Sequence, residues 1–315
     1  PRHDLLEGSW LEQHGLVGSG AGDPGPVWSD SRGRLAVALA GISQVAVTGS
    51  SFALKLPVGH RPAALAEMND RLFVANMLED SLTEIHLRTG AVEQTISLGP
   101  APPLSAVERG ERLFFDARLS HDGWMSCHSC HSEGHTMGLL ADTKGDGGYG
   151  APKRIPSLLG TAATGPWSWN GSSQSLQQQI RQSVRTTMHG RPLTDTQVHD
   201  LAAYLRSLPA PPARSRVDRE LAGRGRVLFE RHGCADCHRP PHYTSAATYD
   251  VGLVDELGQR RFNPPSLRGV GQRDRFFHDG RATRLEDVIE KVRHQLPDDL
   301  SDDDAEALRE FLKSL

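Results

Sequence analysis

All four cysteines of the chain fall in two five-residue strings, Cys127-His128-Ser129-Cys130-His131 and Cys234-Ala235-Asp236-Cys237-His238. C-x-x-C-H is the pattern of covalent c-type haem attachment. Two thiols at this spacing add to the two vinyl groups of one haem, and the next residue brings an imidazole under the iron as proximal ligand. Two C-x-x-C knuckles also suit a four-cysteine zinc site, and paired thiols can cycle redox states. Neither of these needs a histidine straight after each second cysteine. The pattern therefore predicts two covalent haem c groups with His131 and His238 as proximal ligands. It also predicts a periplasmic or extracellular location, because haem is attached to c-type cytochromes outside the cytoplasm.

Other features exclude whole classes. The 35 basic and 39 acidic residues leave a net charge of −4, without the basic face of a nucleic-acid binder. No run of about 18 apolar residues occurs, so no transmembrane helix is expected. The chain opens Pro1-Arg2-His3-Asp4 without an apolar leader, which reads as a mature or truncated form.

The region after residue 104 is an internal duplication. Glu108 to Asp116, the first haem motif, Ile155-Pro-Ser-Leu-Leu159, Trp169-Asn-Gly171, Ser175 to Gln179 and Leu193 to Leu208 recur. Their counterparts are Glu220 to Phe229, the second motif, Pro264-Pro-Ser-Leu-Arg268, His278-Asp-Gly280, Arg284 to Asp287 and Leu300 to Leu315. Helices are expected near 105–116, 175–186, 194–208, 218–231, 284–294 and 301–314, with Thr194 and Ser301 as N-caps. Pro209-Ala-Pro-Pro212 reads as the linker between halves. The first hundred residues differ. Arg34-Leu-Ala-Val-Ala-Leu-Ala40 and Arg71-Leu-Phe-Val-Ala-Asn-Met77 each precede an alternating run, a period near 37 residues that resembles two β-propeller blades. The expectation is a mainly α chain: two c-type cytochrome domains, 104–212 and 213–315, behind a small all-β segment, 1–103, hinged at Pro100-Ala-Pro-Pro103.

Residues 105–315 resemble the bacterial dihaem cytochrome c peroxidase superfamily, which includes MauG-type enzymes that oxidise a partner protein. The resemblance rests on Gly110-x-x-Leu-Phe-Phe-Asp116, Arg118-Leu-Ser120, Pro156-Ser-Leu-Leu159, Trp169-Asn-Gly171, Pro265-Ser-Leu-Arg268 and Phe277-His-Asp-Gly-Arg281. Propeller–cytochrome fusions also occur in that superfamily. The resemblance implies that hydrogen peroxide meets the N-terminal haem while the C-terminal haem stores or relays electrons. Trp169 matches the tryptophan that bridges the two.

The distal positions depart from the ordinary peroxidase pattern. A removable histidine belongs where this chain has Asp146, in the Gly-rich stretch Gly145 to Gly150, so an open N-terminal haem is expected. His135 reads as a loop residue. The family's distal acid–base glutamate aligns with His189 or, shifted to match Met188, with Thr187; an imidazole titrates near neutrality and suits proton transfer. The methionine ligand of the C-terminal haem aligns near Val292, MauG-type enzymes use a tyrosine there, and the chain has neither residue in that segment. His294 becomes the axial ligand expected, giving a bis-histidine haem without the methionine that raises potential. His278 is expected to hydrogen-bond a propionate or backbone, with Arg154, Arg268 and Arg281 as propionate partners. Arg154 also stands where many members have a calcium-binding asparagine, so calcium is not assumed. His3, His14, His60, His86 and His121 read as surface residues. Three functions compete: a peroxide-dependent oxidase of a protein partner, an ordinary cytochrome c peroxidase using a redox partner protein, and a non-catalytic electron carrier.

Overall fold

The computed structural model describes residues 22–49, 53–214 and 216–315; His3 and His14 lie outside them. The chain divides into two compact units, one running to Cys130 and including Met188–Leu201, the other made of His131–Thr187 and Ala202–Leu315.

The first unit opens with two four-stranded antiparallel sheets, each in sequence order. One contains β1 Pro24–Ser29, β2 Leu35–Leu39, β3 Gln44–Thr48 and β4 Ala53–Pro57; the other β5 Pro62–Met68, β6 Arg71–Asn76, β7 Ser81–His86 and β8 Ala91–Ser97. Period-two alternation decides which residues go inside. Ala36, Val45 and Val47 from the first sheet form one core cluster with Leu72, Val74 and Ile85 from the second. The Met68↔Arg71 pairing leaves Asn69 and Asp70 as a two-residue turn, both with positive φ (+55° and +62°). That is the chemistry a twist-matched hairpin demands. Among the described residues helix accounts for 32% and strand for 21%, so the chain is mixed and the expected helical dominance is modest.

Helix α1, Ala106–Phe114, starts at a capping box: Ser105 Oγ accepts from Glu108 N, and the Glu108 carboxylate accepts from Ser105 N. The four-residue helix α2, Cys127–Cys130, carries the first pair of thiols. α3, Leu176–Gln182, widens into a π-turn over Ser183–Thr187, and α4 spans Asp195–Ser207. Thr194 Oγ1 accepts from Gln197 N, the cap expected there.

In the second unit α5, Arg219–Arg231, and α8, Asp302–Lys313, pack through Leu228, Phe229, Leu308 and Phe311. Gly225 sets the approach, because a Cβ there would run into the Ala307 carbonyl. Between them lie α6, Cys234–Cys237, with the second pair of thiols, and α7, Leu285–Glu290. Ser301 caps α8, accepting from Asp304 N. Helix was expected to 294, but α7 stops at Glu290. Lys291 N and Val292 N both turn back to the Asp287 carbonyl, and Arg293 and Gln295 take φ of +50° and +54°. The linker is packed: Pro211 is buried and Arg214 N donates to the Lys313 carbonyl.

Candidate haem sites and family

The second motif opens on a cavity of about 490 Å³, within the range of cofactor pockets. Cys234, Cys237 and His238 lie on its wall, and so does His294. His238 Nδ1 lies 3.1 Å from the Tyr243 carbonyl. A carbonyl only accepts, so Nδ1 carries the proton and Nε2 keeps its lone pair for a metal. Burial pushes the His238 pKa down to about 4, and a charge on His294 would push the same way. The imidazole is therefore neutral, as ligation requires. His294 is presented between the two left-handed residues Arg293 and Gln295, with Phe277 edge-on at 5.4 Å. Its Nδ1 is buried without a hydrogen-bond partner, and burial lowers its pKa. Non-glycine residues pay for positive φ; two flanking one histidine mark a position held for a purpose other than local stability.

Four more residues shape this cavity. His278 is 1% exposed, stacks on Phe262 at 4.1 Å, and has no hydrogen-bond partner at either ring nitrogen. Such a group is costly unless something absent from the polypeptide satisfies it. The Arg154 guanidinium lies 5.2 Å from the centre of the Trp169 ring, and the Trp169 indole N–H donates to the Arg154 carbonyl at 3.0 Å. Arg273 lines the cavity too. Burial lowers the Arg154 pKa to about 10; burial and then the Arg154 charge lower that of Arg273 to about 9. Both are cations on one cavity wall, suited to bind a carboxylate.

At the first motif the thiols are held differently. Burial, then the neighbouring Cys130 and Asp23, push the Cys127 thiol up to about 12. His131 Nδ1 lies 3.0 Å from the Pro156 carbonyl, so this ring also keeps Nε2 free, and burial lowers its pKa to about 4. His135 Nδ1 meets Ser157 Oγ at 2.7 Å.

The di-haem cytochrome c peroxidase family model matches residues 105–211 and 217–314. This chain belongs to that family. Family membership implies two haem c groups and an oxidoreductase of the peroxidase class. A methylamine utilization protein MauG of Methylorubrum extorquens is 29% identical over 238 residues, 58% of this chain and 67% of that protein. A cytochrome c551 peroxidase of Nitrosomonas europaea is 24% identical over 281 residues, 69% and 84% of the two chains. Among solved structures, Kuenenia stuttgartiensis hydrazine synthase superposes with a TM-score of 0.61 at 24% identity, covering 71% of this chain and 99% of that one. That likeness concerns fold.

A dihaem family member needs propionate partners, and the second cavity fits: neutral His238, unpartnered His278, and the cations Arg154 and Arg273. Arg268 and Arg281, expected as partners, do not line this cavity. The Arg281 guanidinium is held by Asp279 (2.8 Å from Nε), and Arg268 Nε is buried without a partner. Arg273 escaped the sequence reading because it lies between the Pro-Ser-Leu and His-Asp-Gly strings, in an Arg-Asp-Arg run that looks like surface charge. Val292 packs with the Phe276–Leu285 cluster. Asp146 ends a 3-10 turn, Lys144–Asp146, whose Gly145 carbonyl accepts from Gln182 Nε2. Thr187 ends the π-turn, Met188 is buried, and His189 is exposed with φ of +51°; none of these lines the second cavity. His60 is half-buried rather than at the surface. No described helix is long and apolar enough to cross a membrane.

Proposed function

We propose that this chain is a peroxide-dependent oxidase of the MauG type, acting outside the cytoplasm on a protein partner, with an open N-terminal haem and a bis-histidine C-terminal haem. The observation that carries the reading is His294 on the wall of the same cavity as His238, in a segment without methionine or tyrosine. Bound haem would supply the iron that takes peroxide at one centre and stores oxidising equivalents at the other. The chain's own residues do the rest. Cys127, Cys130 and His131 would hold the first haem, and Cys234, Cys237, His238 and His294 the second. Arg154, Arg273 and His278 would bind carboxylates. Trp169, with its indole N–H fixed on the Arg154 carbonyl, would connect the two centres. Asp146, a short carboxylate in a glycine-rich stretch where the family's removable histidine would stand, would leave that iron open. His189 would move the proton between peroxide oxygens, or Thr187 would position water for it; the π-turn beside them is a feature frequent at functional sites.

We assign the haem domains to 104–212 and 213–315. The two sheets are read as propeller blades that offer a docking face for the partner, on fold analogy. Arg154 fills the position of the family's calcium-binding asparagine, and no calcium is assigned. Stoichiometric peroxide added to the diferric protein tests the function. Both haem spectra should change in one fast phase, and Trp169→Phe should confine the response to the first haem. A protein that ignores peroxide until one haem is reduced is an ordinary, reductively activated cytochrome c peroxidase.

A further inference from the structure

The family match begins at residue 105, yet a residue far upstream grips the first haem-attachment helix. Asp23 stands just before β1. Its carboxylate accepts from Ser126 Oγ and, at 2.5 Å, from Ser129 Oγ. Ser126 N in turn donates to Ser129 Oγ at 2.9 Å. These serines bracket Cys127: one precedes it, the other lies inside the C-x-x-C string. The backbone around Asp23 is fixed as well. Ala40 N donates to the Asp23 carbonyl at 3.1 Å, Gly22 N to Gly123 O at 3.0 Å, and Gly41 N to Gly22 O at 3.0 Å. A side chain on Gly22 would collide with Ala117 and the Gly123 carbonyl, so the junction admits no bulk. Asp23 itself has φ of +51°, a conformation that aspartate tolerates better than most residues.

We propose that Asp23 is a positioning residue for the first haem centre, supplied by the β segment: it fixes the Cys127–Cys130 helix and places a carboxylate beside the thioether sulfurs, biasing that centre toward Fe(III). A four-residue helix cannot hold itself, so external ties decide where its two sulfurs point. A fixed negative charge in a partly desolvated site favours the oxidised iron, which carries one more positive charge than the reduced form. The effect of the Asp23 charge on both thiols points the same way. The second motif is built differently. Its helix follows Gly233, has no side-chain cap, and carries its own carboxylate, Asp236, where the first has Ser129, so no residue from the β segment is needed to charge that site. The inference rests on haem attachment at Cys127 and Cys130, not on which substrate is oxidised.

The test is spectroelectrochemical titration of both haems in the full-length dihaem protein. Asp23→Asn keeps the shape and one acceptor oxygen, turns the other contact into an N–H donor that a serine hydroxyl can accept, and removes the charge. The Fe(III)/Fe(II) potential of the N-terminal haem should rise and that of the C-terminal haem stay put. The Ser126→Ala/Ser129→Ala double variant keeps the carboxylate and strips its donors, so the same potential should fall. Opposite signs separate charge-setting from loosening, because a merely loosened loop would shift both variants in one direction. Equal shifts at both haems, no shift, or the same sign in both variants overturns the proposal. If Asp23→Asn yields no holoprotein, the serine variant decides alone: a fall supports the proposal, and a rise or no change refutes it.

Discussion

The two halves of the duplication carry the same attachment string and support it by different means. In the second half the proximal histidine turns to Tyr243, five residues on, and the cavity wall comes from that half together with Arg154 and Trp169. In the first half the histidine turns to Pro156, 25 residues away, and Asp23 reaches in from outside the repeat. The helices differ in the same way. Arg109 holds Asp200 with two hydrogen bonds, 2.7 and 2.9 Å, and the Asp200 side chain is 4% exposed. In the second half Ala307 stands in the place of Asp200; Arg224 instead meets the exposed Asp304 at 3.5 Å, and close packing at Gly225 takes over. The difference teaches that duplication copied the ligand chemistry, while each copy found its own way to hold it.

The largest expected effect tests whether the two attachments are independent. Cys234→Ser/Cys237→Ser should lose the second covalent haem and keep the first, and Cys127→Ser/Cys130→Ser should do the reverse. Pyridine haemochrome should fall from two haems per chain to one in each case. Loss of both haems from either variant would break the comparison. Next, His294→Ala should turn the C-terminal haem high-spin and leave the N-terminal haem unchanged. An unaltered low-spin spectrum would remove His294 from the ligand set.

Gly225→Ala sharpens the contrast in helix packing. Alanine is the better helix former by roughly 1 kcal/mol, so propensity alone predicts stabilisation. The Ala307 carbonyl occupies the space a Cβ needs, and overpacking of this kind costs about 1–3 kcal/mol. The clash should win, and denaturant unfolding should show a destabilised second half. A variant at least as stable as the parent would mean that the crossing is looser than described.

Much of the fold was legible where local chemistry decides. Ser301 and Thr194 cap as their types suggest, and the alternation of Val45 and Val47 sends both inward. His294 was singled out by elimination, since no methionine or tyrosine stands in its segment, and the fold puts it on the wall of the His238 cavity; its ligation of iron is the proposal. The failures are long-range or cofactor-driven. Helix past Glu290 fits the pattern of the residues, but the chain leaves it in left-handed steps that present His294 to the cavity. Arg273 looks like surface charge because the cavity that desolvates it forms only in the fold. Asp23 carries no signal at all: its serine partners are more than a hundred residues away. The mainly α class was overestimated: the long stretches between each C-x-x-C-H string and the next helix, left without a helix assignment, are mostly turns, and the two sheets bring strand to 21% against 32% helix.

The smallest effect separates the two ion pairs by pH. The Arg109 hydrogen bonds hold the Asp200 carboxyl below its ordinary 3.8, against the opposing pull of burial. A carboxyl that is more acidic folded than unfolded stabilises the fold fully above its unfolded pKa, and that contribution is lost as pH falls through the folded value. Asp200→Asn should therefore be less stable than the parent at pH 7, and the gap should close below pH 3.8, where the parent's carboxyl takes up its proton. Asp304→Asn should show almost no gap at any pH, because an exposed pair contributes little and is screened by salt. Chemical unfolding of both variants across pH 3–7 checks this. If Asp304→Asn costs as much as Asp200→Asn, or if the Asp200→Asn gap persists in acid, the ion pair is not what distinguishes the first half. Its helices would then be held by apolar contact, as α5 and α8 are.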